Sequence, residues 1–298
     1  MSKQKLDFYI FKLKCCGLAN KNILRLLDAF EIYSYQDQRA IDALTARDLS
    51  DVTKHFHLNE PQKEKFKQKF RHVTDLEGTY LNFFEQHNYF TYYDEIYPEK
   101  LLTMYDPPVM LFYKGDLNLL DTPSISIVGA RKILETTKFS FNALITPEIT
   151  NHFTVVSGLA LGVDTLAHTA AKHTIAVVAN GLDKYFPTSN KPLQQYIEEK
   201  HLILSEYINT SLALKHHYHE RNRIISALGT FGCVVFQAAT QSGTIITAHN
   251  AMENGIDVLV VPGAAHLPAF HGSHELIRDG ATIFYENDSL LENLTNSV

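Results

Sequence analysis

Several short stretches of this chain set small residues and cations where an anion could be gripped. Gly129-Ala130-Arg131-Lys132, Ser157-Gly158 through Gly162-Val163-Asp164, Asn180-Gly181 through Lys184-Tyr185-Phe186-Pro187, Gln241-Ser242-Gly243-Thr244 and Pro262-Gly263 each follow an apolar run. Small residues let backbone N–H groups and helix N-termini come close to a phosphate. The cations are Arg131, Lys184, Lys191, Lys215, Arg221 and Arg223. Arginine suits forked phosphate contacts, and lysine acts as a point charge. Tyr185 and Phe186 add flat faces on which unpaired bases could stack. Taken singly, a turn glycine, a solvated cation or a core aromatic is the simpler account of each. Grouped on one rim, they read as a phosphate-binding crevice.

Other chemistries lack their residues. The first glycine loop is not GxGxxG, and no acidic residue follows the second strand, so a dinucleotide is not expected. No GxxxxGK[ST] is present. The groups His216, His217, His219 and His266, His271, His274 have no carboxylate or cysteine at zinc spacing, so neither metal nor cofactor is expected. Asp164 and His168, at i and i+4, read as a contact that stabilises a helix, with an acid–base pair as the alternative. No Ser/His/Asp or paired-carboxylate constellation stands out.

The elements that must carry these loops are legible in the pattern. Apolar runs at 125–128, 153–156, 174–178, 202–204, 233–236, 258–261 and 282–285 are mostly separated by helix-length segments. Strands alternating with helices mean βαβ units, a mainly parallel sheet and helices on both faces. In such sheets ligands bind beyond the carboxyl ends of the strands, where these loops fall. Residues 1–75 read as a small helical module, with Ala19-Asn20-Lys21-Asn22 as a helix start. Its role is either DNA binding or plain protein contact. Residues 76–123 read as a lead-in of short aromatic strands between proline turns that packs on the core. The core spans 124–288, and 289–298 form a tail.

Composition narrows the class. The chain has 298 residues, enough for two domains, and its net charge is −6. Residues 1–75 hold 14 Lys/Arg against 10 Asp/Glu, whereas the remainder holds 13 against 23, so any anion site there must be local. Three cysteines, with no CxxC, exclude a disulfide framework and fit a reducing cytoplasm. No apolar run is long enough to span a bilayer, and no signal peptide is seen.

In order and spacing, these stretches resemble the DprA/Smf family of DNA-processing proteins over about 89–286. The resemblance is carried by Pro107-Pro108-Val109-Met110-Leu111-Phe112, Ile127-Val128-Gly129-Ala130-Arg131, Ser157-Gly158 through Asp164 with His168, Ala179-Asn180-Gly181, Arg221-Asn222-Arg223, Ser242-Gly243-Thr244 and Gly272-Ser273-His274. It implies an α/β, extended Rossmann-like core with a mainly parallel, doubly wound sheet and a small N-terminal helical domain. It implies a single-stranded DNA-binding recombination mediator that is not an enzyme, protects incoming DNA in natural transformation and loads the RecA recombinase. The implied DNA-binding residues are Gly129, Ala130, Arg131, Ser157, Gly158, Lys184, Phe186, Asn190, Lys191, Lys215, Arg221, Asn222, Arg223, Ser242, Gly243 and Thr244. It also implies a homodimer through His274, Ile277 and Ile283, with no winged helix before the chain ends. Thr188 stands where many members carry a lysine, a place that Lys184 or Lys191 could fill. The alternative is a nucleoside monophosphate phosphoribohydrolase of the lysine-decarboxylase-like Rossmann family. That family carries a catalytic glutamate where this chain has Thr247.

Overall fold

A computed structural model describes residues 2–208 and 211–286, so the expected tail at 289–298 lies outside the described residues. The chain divides into two compact units, one formed by Met1–Tyr97 with Tyr105–Phe112 and the other by Pro98–Met104 with the chain from Tyr113 onward.

The first unit is helical: α1 (Ser2–Cys15), α2 (Asn20–Ala29), α3 (Gln38–Thr45), α4 (Leu49–Val52), α5 (Glu60–Asp75) and α6 (Glu77–Glu85). Apolar side chains of α1 and α2 that recur at helical spacing, among them Leu6, Ile10, Leu13, Ile23 and Leu27, are buried. The expected interruption at Leu58-Asn59-Glu60-Pro61 is a helix start. The Asn59 side chain accepts from the Gln62 N–H at 3.0 Å while the Gln62 side chain accepts from the Asn59 N–H at 2.9 Å. Strand β1 (Tyr89–Thr91) pairs antiparallel with Met110–Phe112, the first half of β2 (Met110–Gly115). Two parts of the 76–123 stretch differ from the strand reading. Residues 77–85 are helix α6, and Glu99–Leu102, after Tyr97-Pro98, is a short helix, α7. The proline that suggested a turn between strands occupies the N-cap position of α7, where a missing N–H costs nothing.

In the second unit, parallel pairing joins β3 (Ser124–Val128), β4 (Thr154–Ser157), β5 (Thr174–Val178), β6 (Leu202–Ser205), β7 (Cys233–Val235), β8 (Val258–Val260) and β9 (Thr282–Ile283). Their order is β6-β5-β4-β3-β7-β8-β9. The intervening helices are α8 (Glu135–Leu144), α9 (Pro147–His152), α10 (Val163–Ala170), α11 (Lys191–Lys200), α12 (Lys215–Leu228), α13 (Gly243–Glu253) and α14 (His271–Arg278). Alternate residues of a strand face opposite ways. Ile125 and Ile127 of β3 enter one core with Phe141 of α8 and Val163 of α10. Ser124 faces the other way, and its hydroxyl donates to the Leu228 carbonyl at the end of α12. The sheet is thus doubly wound, which explains why β3 and β5 are buried along their whole length.

The strand order reverses at β3. From it the chain proceeds to β4, β5 and β6 on one side and then crosses to β7, β8 and β9 on the other. Loops leaving the carboxyl ends of β3 and β7 therefore diverge, and a crevice must open between them.

Candidate nucleic-acid interface

A cleft of about 800 Å³ lies at this reversal. The end of β3 lines it with Gly129, Ala130, Arg131 and Lys132, and the start of α13 lines it with Ser242, Gly243 and Thr244. Helix α12 supplies the third wall through Lys215, Tyr218, His219, Asn222 and Ile225, which recur at three- and four-residue steps along one face. Arg131, Lys132, Lys215 and Arg221 put four cations in the lining against one carboxylate, Asp164. The site is locally positive although this part of the chain is acidic.

The α13 wall has the form of an anion cradle. Gln241, at φ 56°, makes the sharp turn into the helix. Ser242 is the N-cap in extended conformation, and its enclosed hydroxyl makes no hydrogen bond within the described residues. The first N–H groups of a helix lack internal partners and carry its positive end. Asn222 ties α12 to this turn by donating to the Gly243 carbonyl at 3.2 Å.

The two arginines of the cleft differ in kind. Arg221 is buried, and its Nη1 donates to the Val177 carbonyl at 2.8 Å. Asp164 is buried too and accepts from the Ala160 N–H at 3.2 Å. Burial pushes the Asp164 carboxyl up and the Arg221 guanidinium down, each opposed by the other's charge. Arg131 is exposed, with its guanidinium carbon 5.1 Å from the centre of the Tyr218 ring. Phe186, half exposed, lies 6.3 Å from the same ring. A smaller, mostly apolar pocket of about 120 Å³ adjoins these rings and includes Gly158 in its wall.

The loop after β4 is held from behind. Leu159 has φ 58°, a left-handed conformation rare for leucine. Its N–H donates to His168 Nε2 at 3.2 Å. His168 Nδ1 meets Thr174 Oγ1 at 2.7 Å, and that hydroxyl donates to the Val155 carbonyl, so Nδ1 carries the proton. Burial drives His168 down to about 3, so the ring stays neutral. Asp164 and His168 therefore both tether this loop from α10. Gly162 lies in it at φ 79°, and a Cβ there would overlap the Ala130 carbonyl.

The expected DNA-binding residues divide accordingly. Gly129, Ala130, Arg131, Phe186, Lys215, Arg221, Asn222, Ser242, Gly243 and Thr244 converge on the cleft, and Gly158 adjoins it. The rest line neither space. Ser157 is fully buried, its hydroxyl donating to the Ile127 carbonyl at 2.7 Å. Asn190 is spent on the Leu159 carbonyl at 3.0 Å and the Thr165 hydroxyl at 2.9 Å. One residue past Asn222, Arg223 leaves the cleft face of α12 and pairs with buried Glu206 at 2.6 Å. Lys184 and Lys191 are exposed, with Lys191 Nζ 4.9 Å from the centre of the Tyr185 ring. Sequence reasoning passed over Tyr218 and Gln237. The i, i+3, i+7 spacing of Lys215, Tyr218 and Asn222 was the available signal for Tyr218. Gln237 clamps the segment after β3, accepting from the Thr137 hydroxyl at 2.6 Å and donating to the Lys132 carbonyl at 3.1 Å.

Among the described residues, no group of three His, Cys, Asp or Glu side chains could hold a metal, and no helix is long and apolar enough to cross a membrane.

The family model described as DNA recombination-mediator protein A matches residues 88–295. DNA processing protein DprA of Streptococcus pneumoniae is 36% identical over 96% of this chain and 97% of its own length. That of Bacillus subtilis is 37% identical over 66% of this chain and 68% of its own. The X-ray structure of DprA from Streptococcus pneumoniae superimposes with a TM-score of 0.84, covering 96% of both chains. A Helicobacter pylori DprA structure, described in terms of a unique single-stranded DNA binding mode, matches with a TM-score of 0.63 at 31% identity. It covers 71% of this chain and 97% of its own.

Proposed function

This chain belongs to the DNA recombination-mediator protein A family of DNA-processing proteins, and on that premise we propose that its cleft binds single-stranded DNA and does not cut it. One observation carries the reading. Exposed Arg131 and Lys215 share a single cleft at the sheet's reversal with the N-terminus of α13 and the half-exposed Phe186 ring. Cations and free helix N–H groups suit successive phosphates, and rings suit unpaired bases of any sequence. The binding described for the Helicobacter pylori relative supports the same ligand here. Handing the coated strand to the RecA recombinase, and protecting it until then, are the roles that family membership suggests.

A mobility shift with oligothymidylates tests the reading. Arg131→Ala should weaken binding tenfold or more, and affinity should fall steeply with salt. Equal affinity of variant and parent would overturn the assignment. Incubation with nucleoside monophosphates should release no free base. Thr247, in the cleft lining, offers no carboxylate for a ribosyl transition state.

We also propose self-association along β9. This strand pairs with β8 and edges the sheet, Ile283 on it is 44% exposed, and His274 Nε2 donates to the Gly263 carbonyl at 3.0 Å. Ile277 lies on α14, the helix that precedes β9 in the chain. Ile283→Glu should shift sedimentation toward the monomer, and no shift would remove this surface.

A further inference from the structure

Arg131 is exposed on a flexible stem, and such a side chain samples many rotamers unless a neighbour selects one. That neighbour is the Tyr218 ring, whose centre lies 5.1 Å from the guanidinium carbon. The ring is itself fixed. Arg221, anchored on the Val177 carbonyl, lies 6.0 Å from its centre, and Phe186 packs against it at 6.3 Å. Tyr218 and Arg131 both line the large cleft and the small apolar pocket, so the pair forms part of the partition between them. A buried guanidinium bonded to the Val177 carbonyl, a ring and an exposed guanidinium thus stand in series.

We infer that Tyr218 is a positioning residue for strand binding, its ring holding the Arg131 guanidinium in place for a phosphate at the cleft. The inference rests on the reading of the cleft as a single-stranded DNA site. If instead Tyr218 only stacked on a base, its contribution would be independent of Arg131.

A double-mutant cycle with fluorescent oligothymidylate, repeated across a salt series, separates these cases. Tyr218→Leu should weaken binding about three- to tenfold, as expected for loss of a cation–π contact. It should also flatten the plot of log affinity against log salt by about 0.7, the worth of one phosphate contact on a single strand. Arg131→Ala should flatten it equally. Tyr218→Leu added to Arg131→Ala should then cost less than twofold, and Tyr218→Phe should restore both affinity and slope. An unchanged slope, or additive losses, would overturn the positioning role. If Arg131→Ala itself binds as well as the parent, the DNA site is misassigned and the failure lies there. A measurement on the folded parent is independent of variant stability. The Arg131 Nε–H resonance should be displaced by the ring current, and a resonance at the position of a free arginine would also overturn the inference.

Discussion

A Cβ on Gly158 would overlap Nη1 of Arg221, the atom that donates to the Val177 carbonyl at 2.8 Å. Glycine at the end of β4 is thus a condition for burying a guanidinium from α12 under the cleft floor. A long side chain usually yields to a new methyl by swinging aside. Here a swing would break the bond to Val177 and leave Asp164 without its opposing charge. Gly158→Ala should therefore cost about 1–3 kcal/mol, the usual range for overpacking, read as a lower thermal midpoint. An unchanged midpoint would mean that Arg221 has room to move.

The two arginines should separate stability from affinity. Arg221→Met leaves the Val177 carbonyl without its donor and should destabilise by about 1–3 kcal/mol. Arg131→Ala alters an exposed side chain and should stay within about 0.5 kcal/mol of the parent, yet bind oligothymidylate at least tenfold more weakly. Denaturant titration beside a binding isotherm tests both. Equal stability losses in the two variants would contradict the burial difference.

The lysines divide by position. Lys215 lines the cleft, whereas Lys184 and Lys191 do not. Lys215→Ala should lower affinity severalfold and reduce the salt dependence, and Lys184→Ala and Lys191→Ala should each change affinity less than twofold. A large loss at Lys191 would show that the strand path leaves the cleft toward α11.

Two buried groups should give opposite pH slopes. His168 is held down to about 3 by burial, against an unfolded value near 6.5. Its contribution is complete above pH 6.5 and is lost as pH falls toward 3, because the unfolded chain takes up the proton first. That is about 2 kcal/mol by pH 5. Asp7, buried against the hydroxyls of Tyr35 and Tyr89, is pushed up to about 7 from 3.8. Its contribution is complete below pH 3.8 and is lost as pH rises toward 7, because the unfolded chain releases the proton first. Between pH 4 and 6, His168→Gln should gain stability relative to the parent as pH falls, and Asp7→Asn should gain it as pH rises. Parallel pH profiles for either variant and the parent would refute the corresponding burial argument.

Local signals in the chain sufficed for the α/β alternation, because an apolar run that must be covered on both faces needs no knowledge of its neighbours. The stretches at 174–178 and 125–128 became β5 and most of β3 for that reason. The same held for the glycine loops, since strand ends in a parallel sheet share one rim. Lead-in aromatics misled locally. Phe84 and Tyr80 pack as helix residues against Phe11 within the first unit, a contact between residues more than sixty positions apart.

Sequence alone determined the glycine loops at the strand ends and most of the residues that line the cleft, because glycine, cation and strand end are neighbours along the chain. Only the tertiary structure decided which cations face the cleft. Arg221, Asn222 and Arg223 are consecutive, yet at 100° per residue one guanidinium is buried beneath the floor, an amide braces α13, and the other guanidinium turns away to Glu206. That division depends on what α12 packs against, information that lies at the ends of β4, β5 and β6 and not within the three residues.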